Sequence, residues 1–274
     1  MHNPRTYCAS PYRVAVLHGG PGAPGSATPL ARALANHCSI LEPLQTADTI
    51  TGQVDELRQM LQRHAHTPVT LIGHSWGAIL GFIFAATHPA LTGKLIIIGA
   101  PPFQDHYAAS ITATRLRRLD TAQRTEARQL LARLDSPTAA GPLDLARLGE
   151  LFMRSDTVAP LSLDTETIEV QEHIYRRVWA EASAVHRSGK LLALGKHVRC
   201  PVLALHGAGD PHPAEGVRAP LAAALSNFRI IVLPRCGHYP WLERHARDRL
   251  FTLLRQELSQ GQACPPPPPL PNAP

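Results

Sequence analysis

Thr70-Leu-Ile-Gly73-His-Ser75-Trp-Gly77-Ala-Ile-Leu80 is an apolar run that passes through a Gly-x-Ser-x-Gly turn into a second apolar run. The aliphatic and β-branched residues from Pro68 to Ile72 predict a buried strand, and Ala78 to Thr87 predict a buried helix. A serine at such a junction is forced into a strained backbone conformation. Glycines two residues before and after permit it, because a Cβ there would collide with neighbouring backbone. The hydroxyl is thereby lifted out of the turn. The Trp76 N–H falls at the helix N-terminus, where an unpaired donor and the positive end of the helix dipole can hold a developing oxyanion. Taken alone, the pentapeptide also suits a turn whose serine caps the following helix, so its meaning depends on the rest of the chain.

Upstream, Arg13-Val-Ala-Val-Leu-His18 reads as a short strand ending in His18-Gly19-Gly20-Pro21-Gly22, a loop whose glycines allow close backbone approach and can aim N–H groups at a ligand. A phosphate-binding loop is excluded, since neither a Walker motif nor a well-formed Gly-x-Gly-x-x-Gly follows the strand. Thr28 to Asn36 predicts a helix, Cys38 to Leu41 a strand, and Thr51 to Ala65 a helix with Val54, Leu57, Met60 and Leu61 at helical spacing. Gly93-Lys-Leu-Ile-Ile-Ile-Gly99 is the continuous aliphatic run of a parallel strand covered on both faces. This alternation predicts an α/β fold: a mainly parallel sheet between helical layers, with ligands at the carboxyl ends of the strands.

From 103 to 197 the chain is rich in Arg, Leu and Ala at helical spacing and contains no convincing strand, which predicts a helical insertion. Leu116, Leu119, Leu130, Leu131 and Leu134 are expected to pack inward, and Arg117, Arg118, Arg124 and Arg128 to stay wet. The acidic group Asp164, Glu166, Glu169 and Glu172 reads as a solvated face. Strand pattern resumes at Val198 to Gly207, followed by a loop with Asp210, a helix over Ala214 to Ala224, and a last strand from Phe228 to Leu233. A loop holding Cys236 and His238 leads to a closing helix that ends near Ser259. The organisation is therefore a core of 1–102 and 198–260, an insertion of 103–197, and a proline-rich tail of 261–274 expected to be extended and disordered.

Bulk properties narrow the partners. The 274 residues are 44% hydrophobic and 18% charged, which suits a globular protein with a substantial core. No apolar run of eighteen residues exists, so no transmembrane helix and no membrane partner are expected, and the N-terminus lacks the apolar stretch of a secretion signal, pointing to the cytoplasm. Five scattered cysteines without a Cys-x-x-Cys pair argue against disulfides and a zinc site. The formal net charge of +6 comes from arginines spread along the chain without interleaved aromatics, so no nucleic-acid partner is expected.

A serine hydroxyl is a poor nucleophile at neutral pH. It needs a base within hydrogen-bond reach, and the base needs a carboxylate to hold its tautomer and stabilise its cation. Ser75, Asp210 and His238 each follow a predicted strand, so all three fall at one edge of a parallel sheet, in the order Ser, Asp, His. Asp105, after the strand ending at Gly99, is a rival for the acid. His18 and His206, each just before a glycine, read as loop-shaping residues, and Cys236 as a buried structural thiol.

With these residues in view, the chain resembles the α/β-hydrolase fold. His18-Gly-Gly-Pro-Gly22 together with Gly73-His-Ser-Trp-Gly77 is similar to the prolyl aminopeptidase (proline iminopeptidase) branch, over about 13–102 and 198–258. The insertion stands where that fold carries its lid. The resemblance implies Ser75 as nucleophile, His238 as general base and Asp210 as its orienting acid. It implies an oxyanion hole from the N–H groups of Trp76 and Gly20, with Gly19 the lesser candidate. No metal or organic cofactor is expected. The substrate would be a small molecule or short peptide: members of that branch cleave N-terminal residues, and relatives hydrolyse esters, lactones, thioesters or carbon–carbon bonds. A non-catalytic ligand-binding protein on the same fold is the alternative of another class. Only a dozen residues precede the strand at Arg13, where the fold usually has two further strands, so a shortened sheet edge is expected, and a homo-oligomer paired through that edge stays open.

Overall fold

A computed structural model describes residues 2–134, 141–161 and 169–260. In chain order the strands are β1 (Arg5–Tyr7), β2 (Tyr12–Leu17), β3 (Ile40–Glu42), β4 (Ala65–His74), β5 (Thr92–Ile98), β6 (Val202–Gly207) and β7 (Phe228–Leu233). The helices are α1 (Thr28–Ala35), α2 (Ile50–His64), α3 (Trp76–Thr87), α4 (Ile111–Arg118), α5 (Thr121–Leu134), α6 (Pro142–Asp156), α7 (Glu172–Arg187), α8 (Lys190–Ala193), α9 (Glu215–Ala224) and α10 (Arg247–Ser259). The strands form one sheet in the order β1-β3-β2-β4-β5-β6-β7, all parallel except β1.

Alternation along each strand divides the core between the two faces. Ala15, Leu17, Leu71, Leu95, Ile97 and Ala204 face α2, α3 and α9, while Val14, Val16, Ile72, Ile96, Ile98, Leu203 and Leu205 face α1 and α10. Because β5 lies mid-sheet, Leu95 to Ile98 are all fully buried, each contributing about 1.5–3 kcal/mol of apolar burial. That explains a run of aliphatics without polar alternation. Helix α2 starts where the Thr49 hydroxyl accepts from Gly52 N at 3.1 Å, and it buries Val54, Leu57 and Leu61 against the sheet.

The sheet edge is short, and it carries one strand that the sequence pattern does not announce. β1 has three residues and pairs antiparallel with β3, Arg5 opposite Glu42 and Tyr7 opposite Ile40. Side chains rather than periodicity hold it. The buried Glu42 carboxylate accepts from Tyr7 Oη at 2.6 Å and Thr28 Oγ1 at 2.8 Å, and Arg5 donates to Thr28 Oγ1 at 2.7 Å. Burial and the adjoining carboxylate push the Tyr7 phenol up to about 12.

Register aligns the carboxyl ends: Leu17 is opposite Gly73, His74 opposite Ile98, Ile98 opposite Leu205, and Gly207 opposite Leu233. Helices α4 to α8 leave the sheet after β5 and return at β6. Within them Leu119, Ala127, Leu130, Leu148 and Leu151 form a separate small core, with Leu116, Leu131 and Leu134 packed against it. Arg117, Arg118 and Arg128 are exposed as expected and Arg124 is half-buried, and Arg118 and Arg124 also donate to backbone. Half-buried Arg124 donates to Leu116 O and Leu119 O at 2.8 Å each, completing carbonyls at the end of α4, and Arg118 donates to Ser155 O at 3.0 Å. Glu172 pairs with Arg176 and Glu169 is exposed, while Asp164, Glu166 and the proline-rich tail lie outside the described residues.

Candidate active site

Ser75 connects β4 to α3 with φ 52° and ψ −115°, a left-handed φ that non-glycine residues rarely adopt. The flanking glycines make this turn sterically feasible. A Cβ on Gly73 would lie 2.1 Å from Gly77 O, and one on Gly77 would lie 2.5 Å from Leu17 O, so α3 can cross β2 and β4 closely only without them. Trp76 is the first residue of α3, so its N–H has no carbonyl one turn earlier to bond. Its indole Nε1–H donates to the buried Gln53 Oε1 at 2.8 Å, which ties the turn to α2.

The loop after β2 lies against this turn. A Cβ on Gly19 would be 2.8 Å from His74 Nδ1 and 3.2 Å from Ser75 Cβ, and Gly20 has φ +55°. His18 is the buried pin of the loop: its Nδ1 meets Gly19 O at 3.0 Å and its Nε2 accepts from Gln45 N at 3.1 Å. Burial lowers its pKa to about 4, so the ring is neutral with its proton on Nδ1, a structural role.

Asp210 and His238 arrive in the loops after β6 and β7 and meet as expected. His238 Nδ1 donates to Asp210 Oδ2 at 2.7 Å, with both side chains buried. Burial alone would raise the Asp210 carboxyl, but the imidazoles of His238 and His212, by charge and hydrogen bond, hold it well below the usual carboxylate range. Ser75 is brought to the same rim: its N–H donates to Ile98 O at 3.0 Å, and the next residue of that strand end, Gly99, lies directly against the His238 ring. The His74 ring packs on His238 with centroids 4.7 Å apart and donates from Nε2 to His238 O at 3.0 Å. No hydrogen bond joins Ser75 Oγ to His238 among the described residues; such links commonly tighten only when substrate is bound.

The other candidates separate cleanly. Asp105 is exposed and pairs with His186 at 3.3 Å, away from His238. His206 is a loop pin, its Nε2 donating to His212 O at 2.7 Å, and Cys236 is fully buried, which pushes its thiol pKa up. Sequence pattern did not single out three residues beside the pair. His212 bonds the second oxygen of Asp210 through Nδ1 at 2.9 Å. Glu243, fully buried, accepts from Gly237 N at 2.9 Å and from Val158 N and Ala159 N at 2.7 Å each. Asp156 accepts His238 N on its carbonyl at 2.7 Å, and its carboxylate takes a forked ion pair from Arg115. The only advance signal was the short spacing of Asp210-Pro-His212. Asp210, His212 and His238 offer ligand atoms within 4.8 Å of one another, but each Nδ1 is already committed to a carboxylate oxygen.

Ser75, Gly19 and Gly20 line a cavity of about 580 Å³ that Tyr239, Trp241 and Leu242 flank on one side and α6 covers with Leu145, Gly149 and Met153. The one carboxylate among its described lining residues, Glu150, is paired with Arg147 at 2.7 Å.

An elbow-borne serine, a carboxylate–imidazole pair after the last two strands and a parallel sheet agree with a family match that extends over residues 14–251. The chain belongs to the alpha/beta hydrolase family. Solved hydrolases superpose over nearly its whole length. A proline iminopeptidase from Mycobacterium smegmatis is 20% identical, with a TM-score of 0.65 and 94% of each chain covered. A meta-cleavage product hydrolase from Pseudomonas fluorescens IP01 is 14% identical, with a TM-score of 0.64 and 94% of each chain covered. A monoacylglycerol lipase from Paleococcus ferrophilus is 14% identical, with a TM-score of 0.61, covering 95% of this hydrolase and 99% of that chain. At these identities the likeness is one of fold. No curated protein matches this hydrolase in sequence. No helix among its described residues is long and apolar enough to cross a membrane.

Proposed function

We propose that this hydrolase transfers an acyl group to water through a covalent acyl-Ser75 intermediate, with residues 103–197 as a lid over the cavity. The observation that carries the reading is the buried 2.7 Å His238–Asp210 pair on the same sheet rim as a strained, cavity-lining Ser75. His238 Nε2 takes the proton from Ser75 Oγ as the oxygen attacks the carbonyl carbon. Asp210 holds the Nδ1–H tautomer and stabilises the imidazolium. The N–H groups of Trp76 and Gly20 receive the oxyanion. His238 then protonates the leaving group, and water, deprotonated by the same ring, releases the acid.

Two substrate classes suit this chemistry. An aminopeptidase, as in the iminopeptidase resemblance, must bind a free ammonium, whereas an esterase needs only an uncharged acyl pocket. The α6 wall is mixed, with Leu145, Gly149 and Met153 beside Glu150 and Arg154, and Glu150 shares Arg147 with Glu126. The apolar residues suit an acyl chain, and no buried carboxylate among the described lining residues is set to hold an ammonium. A proline p-nitroanilide assayed beside a p-nitrophenyl ester separates the classes, since blocking the amine abolishes turnover only in a peptidase. Ser75→Ala is expected to lower ester turnover by at least about a thousandfold, and a fluorophosphonate to label the wild-type protein once, at Ser75. Full activity in the variant, or folded wild-type protein that takes no label, would overturn the proposal, the second result in favour of a ligand-binding protein on this fold.

A further inference from the structure

We propose that His212 is a positioning residue of this reaction, a second imidazole on the catalytic acid that orients Asp210 and moderates its hold on His238. This rests on the acyl-Ser75 reading above. A carboxylate that turns back on its own chain ordinarily accepts a backbone N–H two residues on, and Asp210 does so: His212 N donates to Oδ1 at 2.9 Å. The ring adds a second donor to the same oxygen, Nδ1 at 2.9 Å, leaving Oδ2 for His238 at 2.7 Å. Each carboxylate oxygen is therefore hydrogen-bonded to one imidazole. The two rings lie side by side, centroids 4.6 Å apart and tilted by 31°. The backbone of His212 is itself held, because His206 Nε2 donates to its carbonyl at 2.7 Å.

Proton accounting gives the ring its task. An ionised Asp210 only accepts, so both Nδ1 atoms must carry protons. Burial pushes His212 down to about 4, so at neutral pH it holds a single proton, and that proton is on Nδ1. When His238 takes the serine proton it becomes a cation beside His212, and a second charge 4.6 Å away is disfavoured. His212 therefore stays neutral through the cycle and neither gives nor takes a proton. Its N–H fixes the plane of the carboxylate, which favours the rate. It also draws charge from Oδ1, so Asp210 stabilises the imidazolium less.

Other groups face this cluster and are unchanged by substitution at 212. His74 packs on His238 and bonds its carbonyl, and His206 Nε2 lies 3.6 Å from Asp210 Oδ2. Tyr239 packs edge-on against His238, the Arg115–Asp156 pair approaches from the lid, and Glu243 holds Gly237 beneath. None of these groups donates a hydrogen bond to Asp210 Oδ1.

The test compares His212→Asn, whose Nδ2 can stand where Nδ1 was, with His212→Leu, which fills the space without a donor. The readouts are the pH profile of kcat/KM on a p-nitrophenyl ester and circular dichroism for folding. Leu is expected to lower kcat/KM at least tenfold and move the acid limb up by half a pH unit or more, and Asn to stay within threefold with the limb in place. A folded Leu variant with wild-type rate and limb would overturn the proposal. So would an Asn variant as slow as Leu with an unmoved limb, which marks packing alone. Should Leu fail to fold, nitrogen NMR of the wild-type rings decides: a neutral Nδ1–H tautomer of His212 between pH 5 and 7 is expected, and an Nε2–H tautomer or an imidazolium there overturns the role. An active Ser75→Ala variant would instead remove the underlying reading.

Discussion

Ser75 occupies a backbone conformation that costs about 1–3 kcal/mol, and its neighbours must hold it there. Gly73 and Gly77 remove the steric obstacle, but the positive hold comes from Trp76, whose fully buried indole is bonded to Gln53. Gln53 is fully buried too, and its other end donates to Ala47 O at 2.9 Å, so the loop before α2, the helix and the elbow are joined through one side chain. Gln53→Leu keeps most of the volume and strands the indole N–H without an acceptor. It is expected to cost about 2 kcal/mol of stability and to slow fluorophosphonate labelling of Ser75. Urea denaturation and labelling rate measure the two effects, and unchanged values in both would mean that the elbow holds itself.

At the scale of elements, what could be read in advance followed from periodicity. The runs at Arg13 to His18, Thr70 to Ile72, Lys94 to Ile98 and Val202 to Leu205 announce buried parallel strands because both of their faces are covered, and strand order alone brings Asp210 to His238. What could not be read depends on single side chains meeting across long sequence separations. β1 is three residues held by Glu42, and Arg124 and Arg115 look like ordinary solvated cations until their partners on the fold are known. Glu243 is the clearest case, one acid in a polar stretch that joins the segment after α6 at Val158 and Ala159 to the His238 loop at Gly237. An amide at that position offers one acceptor oxygen where three N–H groups converge on two. Glu243→Gln is therefore expected to destabilise by about 2–3 kcal/mol, to speed hydrogen exchange at residues 156–161, and to lower ester turnover through the displaced His238 loop. Exchange at wild-type rates there would show that this segment is held by other contacts.

For the whole molecule, the rim of the sheet gathers imidazoles that must stay neutral to pack. His18 and His212 have pKa values lowered to about 4, first by burial, and burial together with the nearby His238 holds His74 well below its usual value. In the unfolded chain all three titrate near 6.5. Below that pH the unfolded state binds protons that the native state refuses, so their contribution is complete above about 6.5 and is lost as pH falls toward 4. Glu42 acts in the opposite sense, because burial raises its carboxyl and lets the native state take a proton before the unfolded one. Asp210, depressed in the native state, adds its own loss only once pH approaches the ordinary carboxylate range. Between pH 7.5 and 5 the histidines therefore dominate. His18 and His212 together are expected to remove about 4 kcal/mol across that window, roughly 10 °C of thermal midpoint. Urea midpoints at half-unit pH steps, with proton uptake on unfolding measured by calorimetry in buffers of different ionisation enthalpy, test this directly. A midpoint that stays level to pH 5 would mean that the rings are protonated in the native state. His18 could then no longer accept from Gln45 N on Nε2, and the loop bearing Gly19 and Gly20 would need another anchor.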